Sequence, residues 1–266
     1  MLAFTRGVPT SIASCELTYV SRSPIDLARA TAQHAAYERA LEDLGCHIER
    51  VPDAPDLPDS VFVEDVAVVF DEIAVVTRPG AASRRAEVDA VAAALAPHRT
   101  LARGEGPGTS DGGDVLVVGR TVYVGRARRT NAEGARQLAR AIAPFGYRVV
   151  EVEVRGCLHL KSAATAFGDA AVVLNGAWID ATLFREFDCV AVHAAEPGGA
   201  NVLRAGDGVL AAAAFPRTNE RLAARGARLT AIDVSELAKA EGALTCCSLL
   251  LRPVGSSAAR ATRLAL

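Results

Sequence analysis

The chain has 266 residues, 50% of them hydrophobic, enough apolar material for a substantial core without disulfide or metal staples. A formal net charge of −2 leaves no general basic field, which argues against nucleic acid or an anionic membrane as partner and points to a small molecule. Arg6, Pro9 and Glu16 interrupt the N-terminal stretch before any signal peptide or membrane anchor forms, so a cytoplasmic protein is expected. Cys15, Cys46, Cys157, Cys189, Cys246 and Cys247 imply no disulfide framework in a long, reduced chain. The absence of a C-x-x-C pair argues against structural zinc.

In chain order, Met1 to Arg6 reads as a strand, followed by a polar turn and the short run Leu17-Thr18-Tyr19-Val20. Ser23 to Leu44 has helical spacing, with Ser23-Pro24 as cap and first-turn proline, Leu27, Ala30, Tyr37, Leu41 and Leu44 on one face, and Gly45 as stop. Cys46 to Val51 reads as a strand, and a Pro/Asp-rich loop runs on to Pro58. From Asp59 a unit begins that recurs: polar opening, strand, turn, returning strand, helix. Its first helix spans Ser83 to Leu95, its second Asn131 to Pro144, and the fourth unit carries one from Glu220 to Arg225. The openings Asp65, Asp114, Ser162, Asn201 and Ser248 recur at roughly 40 to 50 residues, a spacing that signals a repeat or propeller.

Five such units, each a hairpin plus a helix, cannot bury both faces alone, so they are expected to close on one another as an α/β ring in a single domain. Every polar opening then points to one central mouth, which gathers Asp59, Glu64, Asp65, Asp111, His159 and Cys246. Singly, an acidic residue at a strand start is ordinary turn chemistry. The residues after Val254 show no core pattern and are expected to be loosely ordered.

Leu244 to Leu251 reads as a buried strand with a polar, thiol-bearing start. Strand alternation places Cys246 with Ser248 on one face and Cys247 with Leu249 and Leu251 on the other, making Cys246 the reactive candidate and Cys247 a packing residue. His159, in an opening with Lys161 and Ser162, is the best-placed acid and base for that thiol. Asp111, in Asp111-Gly112-Gly113-Asp114, is placed to orient the imidazole, and the paired glycines allow close backbone approach. Glu64 and Asp65 then select a cationic substrate.

The motifs VFVEDVAVV at 61 to 69, TRPGAASRR at 77 to 85, DGGDVL at 111 to 116, RTN at 129 to 131, LHLKS at 158 to 162 and LTCCS at 244 to 248 together resemble dimethylarginine dimethylaminohydrolases, in the guanidine-modifying pentein superfamily. They cover every unit but the fourth, where residues from about 165 to 235 match mainly by pattern. The resemblance implies a five-unit α/β propeller that converts methylated arginines to citrulline plus dimethylamine or methylamine. It implies Cys246 as nucleophile, His159 as general acid and base, Asp111 as the supporting carboxylate, and Asp65, with Glu64 beside it, as holder of the guanidinium. Arg84 and Arg129 match a pair that clamps the substrate carboxylate, while Asp59 and the main-chain oxygens of Leu17 and Ala240 match an α-amino site. No cofactor is implied; zinc is expected only as an inhibitor trapped by Cys246 and His159, and a homodimer is left open. Arginine deiminases resemble the chain at the catalytic histidine but carry an aspartate two residues later, where this chain has Lys161. An arginine or agmatine deiminase is therefore the nearest rival reading, and a silent sensor of arginine-like ligands the non-enzyme one.

Overall fold

A computed structural model describes residues 1–252; the expectation for the tail beyond Val254 lies outside the described residues. The strands form five three-stranded sheets. In one, β1 (Leu2–Thr5) pairs with β2 (His47–Arg50) in parallel and with the last strand, β15 (Leu249–Leu251), antiparallel. The others are runs of three consecutive strands: β3 (Ala67–Val69), β4 (Ile73–Val76) and β5 (Thr100–Arg103); β6 (Val115–Val118), β7 (Thr121–Arg126) and β8 (Arg148–Glu153). Then come β9 (Ala164–Ala166), β10 (Ala171–Leu174) and β11 (Asp188–Ala191), and β12 (Leu203–Ala205), β13 (Gly208–Ala212) and β14 (Leu229–Ile232). Every central strand has an antiparallel neighbour on one side and a parallel one on the other.

A parallel neighbour needs a crossover, and the unit's helix supplies it. These are α1 (Leu27–Asp43), α2 (Val88–Leu95), α3 (Ala132–Ile142), a single 3-10 turn at Ala181–Phe184 and α5 (Pro216–Ala223). The four-residue helices α4 (Leu160–Ala163) and α6 (Ser235–Ala238) complete the set. The hairpin-plus-helix unit expected from sequence thus carries a third strand, foreseen only at Cys46 to Val51. Sequences such as His47-Ile-Glu-Arg50 and Thr100-Leu-Ala-Arg103 are half-exposed outer strands, too short and polar for period-2 alternation to declare itself.

The core is divided among the joints between sheets. Tyr37, Leu41, Leu210 and Leu237 fill the joint between the β1 and β13 sheets, and Phe4, Val66, Leu95 and Leu249 that between the β1 and β4 sheets. Val75, Val122 and Leu138 join the β4 and β7 sheets, Tyr123, Val172 and Phe184 the β7 and β10 sheets, and Val173, Val209 and Leu222 the β10 and β13 sheets. Each sheet has an apolar joint on both sides, so the five sheets close into a ring. Truncating a fully buried leucine such as Leu41 or Leu210 to alanine is expected to cost about 2–5 kcal/mol.

Several boundaries differ from the expectation for local reasons. Helix α1 starts three residues after Pro24, because the Asp26 carboxylate caps it by accepting from Arg29 N at 3.0 Å. The segment expected as helix from Ser83 begins with a 3-10 stretch, Ala82–Glu87, and α5 begins early, on Pro216 at its first turn. Leu17 to Val20 has no regular structure. The terminal stretch is a strand only over Leu249–Leu251; Thr245–Cys247 is a 3-10 turn, so strand alternation does not decide which cysteine faces the mouth.

Candidate active site

Four of the five sheets are entered through a one-turn helical segment at the ring's axis: Val63–Val66 before β3, Gly112–Asp114 before β6, α4 before β9 and Thr245–Cys247 before β15. These turns carry the site. A small cavity is lined by Glu16, Asp59, Asp65, Arg84, Asp111, Arg129, His159, Ala240 and Cys246, among others, so residues up to 230 positions apart in the chain (246 − 16) meet there.

The glycine pair makes this convergence possible. A Cβ on Gly112 would lie 2.0 Å from the Glu64 carbonyl oxygen, and one on Gly113 would lie 2.5 Å from His159 Nδ1 and 2.8 Å from Asp65 Oδ1. Gly113 N instead donates to Asp65 Oδ1 at 3.1 Å. His159, just ahead of α4, places Nε2 3.2 Å from Asp111 Oδ2 and Nδ1 3.7 Å from Asp65 Oδ1. The other Asp111 oxygen accepts from Gly80 N at 2.8 Å, which fixes the carboxylate that holds the ring. Burial on its own pushes the imidazole down, but Asp65, Asp114 and Asp111 outweigh it and hold His159 at about 9. The surrounding carboxylates thus favour the protonated imidazolium.

Cys246 lines the cavity and is 8% exposed, while Cys247 is fully enclosed, with its thiol on the Ala243 carbonyl at 3.5 Å. The two neighbours part because the 3-10 turn rotates successive side chains away from each other. Burial, and then the negative charges of Asp65 and Glu64, push the Cys246 thiol well up. Asp65, Asp111 and His159 bring three ligand atoms within 4.8 Å of one another; among the described residues no group of three or more that includes Cys246 is gathered so closely.

The two arginines expected to act as a pair have different surroundings. Arg84 is 4% exposed, and its guanidinium donates to Asp65 at 2.5 Å, to Glu87 at 2.8 and 3.1 Å, and to the carbonyls of Phe62 and Asp59 at 3.0 and 3.2 Å. Glu87 meets it because a 3-10 stretch eclipses side chains three residues apart. Arg129 is only half-buried and donates to Thr18 Oγ1 at 3.4 Å. Glu64 does not line the cavity: Lys161 Nζ lies 2.6 Å from its Oε1, and its other oxygen is buried without a partner. Asp59 Oδ2 accepts from Glu16 N at 3.1 Å. Leu17 lines a neighbouring opening with Glu16 and Arg129 rather than the cavity itself.

Several residues that build this site had no role assigned from the sequence, although Asp114 and Asn201 were marked there as polar openings. Asp114, fully buried and pushed up by that burial to about 6, accepts from Thr130 Oγ1 at 2.6 Å and from Leu160 N at 3.0 Å, and so ties the segment after Arg129 to the backbone after His159. Asn201 bridges the Lys161 carbonyl at 3.1 Å and both Oγ1 and N of Thr245, at 3.0 and 3.1 Å, bracing the cysteine turn. For Glu87 the three-residue spacing to Arg84 was a usable signal. Glu241, next to Ala240, offered none.

The family model for N,N dimethylarginine dimethylhydrolase, eukaryotic, matches residues 20–187. The N(G),N(G)-dimethylarginine dimethylaminohydrolase of Streptomyces coelicolor is 44% identical over 253 residues, 94% of this chain and 96% of that protein. The enzyme of the same name from Pseudomonas aeruginosa is 35% identical over 227 residues, 84% of this chain and 89% of the relative. A solved structure of the Pseudomonas enzyme, a cysteine-to-serine variant complexed with citrulline, superposes with a TM-score of 0.89 at 33% identity, covering 93% of this chain and 98% of that one. The N-terminal domain of a cyanobacterial arginine dihydrolase, at 17% identity and a TM-score of 0.85, shares the fold. With its five-unit α/β propeller and this arrangement of cysteine, histidine and carboxylates, the chain belongs to the dimethylarginine dimethylaminohydrolase family.

Proposed function

We propose that the chain hydrolyses Nω-methylated arginines to citrulline and the corresponding methylamine, with Cys246 as nucleophile. The observation that carries this reading is the Asp111–His159 contact of 3.2 Å in a cavity that Cys246 also lines. A guanidinium is a delocalised cation and a weak electrophile, so its charge must be held while a thiolate adds to the central carbon. Asp65 and Asp111 supply that charge. Because Asp65 helps push the Cys246 thiol up, a bound cation beside it offsets the effect and favours the thiolate. After addition, the His159 imidazolium gives its proton to the departing amine, and the C–N bond breaks to leave a thiouronium on Cys246. The now neutral imidazole takes a proton from water, whose oxygen adds to the same carbon; as the C–S bond breaks the thiolate returns, the added hydroxyl gives its proton to solvent, and citrulline is released.

Lys161 bears on which guanidinium is preferred. With its ammonium on Glu64, the pocket lacks the extra acceptor that an aspartate there would give, and a nitrogen carrying methyl groups leaves no carboxylate unpaired. Of the two expected carboxylate binders, Arg129 is the one left to meet the substrate, because Arg84 is taken up by Asp65 and Glu87. The Leu17 and Ala240 carbonyls have no hydrogen-bond partner among the described residues, which suits them, with Asp59, to an ammonium group. Incubation with asymmetric dimethylarginine is expected to release citrulline and dimethylamine together, with kcat/KM about tenfold or more above that for arginine, or about 1.4 kcal/mol. Comparable hydrolysis of arginine with release of ammonia would move the chain to the deiminases.

A further inference from the structure

The cavity holds only about 20 Å³, room for about one water, so no arginine enters unless the segment above it moves. That segment is Glu16 to Val20, and its fastenings are unevenly shared. Glu16 is held by Asp59 at 3.1 Å and by Ser83 Oγ at 2.6 Å, and the Thr18 hydroxyl by Arg129 at 3.4 Å. One carboxylate does the rest: Glu241 accepts from three successive main-chain N–H groups, those of Thr18 and Val20 at 2.7 Å each and that of Tyr19 between them. Charge-assisted bonds of this kind are the strong ones. Glu241 is also the one non-glycine residue with positive φ, at +56°, among the described residues. Such a conformation persists only where the surroundings over-determine it. Its neighbours on either side, Ala240 and Gly242, line the same cavity.

Building on the hydrolase reading above, we infer that Glu241 is a positioning residue, a carboxylate latch that holds residues 16 to 20 shut and sets the Leu17 carbonyl opposite that of Ala240 for the substrate's amino-acid end. The latch acts on the main chain, so it is indifferent to which side chains the segment carries. It does not touch the reacting carbon. Tyr19 and Val20, the two large apolar side chains left exposed among the described residues, are held out over the surface by the same bonds.

The test compares Glu241→Gly, which keeps the positive φ and removes the carboxylate, with Glu241→Asp, which keeps a carboxylate. In the glycine variant, hydrogen exchange of the Thr18 to Val20 amides is expected to rise at least tenfold while the amides of β7 and β13 stay as protected as before. Its kcat/KM for asymmetric dimethylarginine is expected to fall about tenfold, chiefly through KM, while a small haloacetamidine without an amino-acid end labels Cys246 faster. The aspartate variant is expected to recover part of both changes. Unchanged flap exchange and unchanged labelling in Glu241→Gly would overturn the latch. Wild-type protein that leaves methylated arginines untouched would overturn the hydrolase reading instead, with exchange and labelling still deciding the latch.

Discussion

The sheet of β12 to β14 and the sheet of β6 to β8 are built alike, each an antiparallel hairpin followed by a helical crossover to a parallel strand. Their contributions to the mouth are opposite in kind. The β6 sheet is entered through Gly112–Asp114 and brings Asp111, Asp114 and Arg129 to the axis. The β12 sheet is entered without a helical turn, and what it brings to the axis is Asn201, a neutral side chain whose amide bonds to the Cys246 turn and to the Lys161 carbonyl. The family model also ends at residue 187, before this unit begins. One scaffold is thus used five times, and chemistry and bracing are assigned to different copies of it. The cost of a substitution should follow that assignment more closely than it follows burial.

The largest effect is expected at Cys246. Cys246→Ser should abolish turnover while Cys247→Ser leaves it largely intact, and mass spectrometry after treatment with a haloacetamidine should place the adduct on Cys246. Labelling confined to Cys247 would reverse the assignment. Next comes His159→Gln, expected to lower kcat by about 10²- to 10⁴-fold. His159 also makes a pH prediction. Its folded pKa, about 9, lies above the ordinary histidine value, so the stability it contributes is complete below about pH 6.5 and is lost as pH rises through about 9. Thermal melts across that window should decline more steeply for wild type than for His159→Gln; parallel curves would show that the imidazole is not held as a cation.

Arg84 and Arg129 separate scaffold from chemistry within one site. Arg84→Ala strands the buried carboxylates of Asp65 and Glu87 and should cost about 3–5 kcal/mol of folding stability, read by chemical denaturation. Arg129→Ala should leave stability nearly unchanged and raise KM for dimethylarginine about ten- to a hundredfold, the loss of a charge-assisted hydrogen bond of about 1.5–3 kcal/mol. Agmatine, which lacks the carboxylate, should not register the Arg129 change. The smallest effect is expected for the brace: Asn201→Ala should cost about 1–3 kcal/mol in stability and lower kcat only several-fold. A loss at Asn201 as deep as that at His159 would place the β12 sheet among the reacting groups and break the contrast.

The sequence carried more of the site than of the fold's detail, for identifiable reasons. Residues that must be a given chemical type at a mouth sit in dense motifs, so Asp65, Asp111, His159 and Cys246 were all marked, and the glycine pair after Asp111 announced a close approach that the contacts to Glu64 and His159 bear out. Five-fold closure was legible because the openings recur. The outer strands were not, since His47 to Arg50 and its counterparts alternate only over four to six half-exposed residues. Nor were the different surroundings of the two arginines: both sit in equally specific motifs, and only the 3-10 stretch aligns Arg84 with Glu87. Cys246 lines the cavity and Cys247 does not, but the sequence separated them on the grounds of a strand that begins only at Leu249.

The pairing of β1 with β15 sets Leu2 opposite Leu251, 249 residues further along the chain (251 − 2). On a ribosome the first strand emerges long before its antiparallel partner exists, and the four intervening sheets can form while the ring still stands open. Contacts of such separation are the slow ones, because loop closure must precede any gain from them. The segment that completes the circle is also the segment that delivers Cys246, three residues ahead of β15. A nascent chain that stops short of the Thr245–Cys247 turn therefore carries a charged basin without Cys246. The thiol thus joins the carboxylates and the imidazole only as the ring closes, late in the chain's emergence.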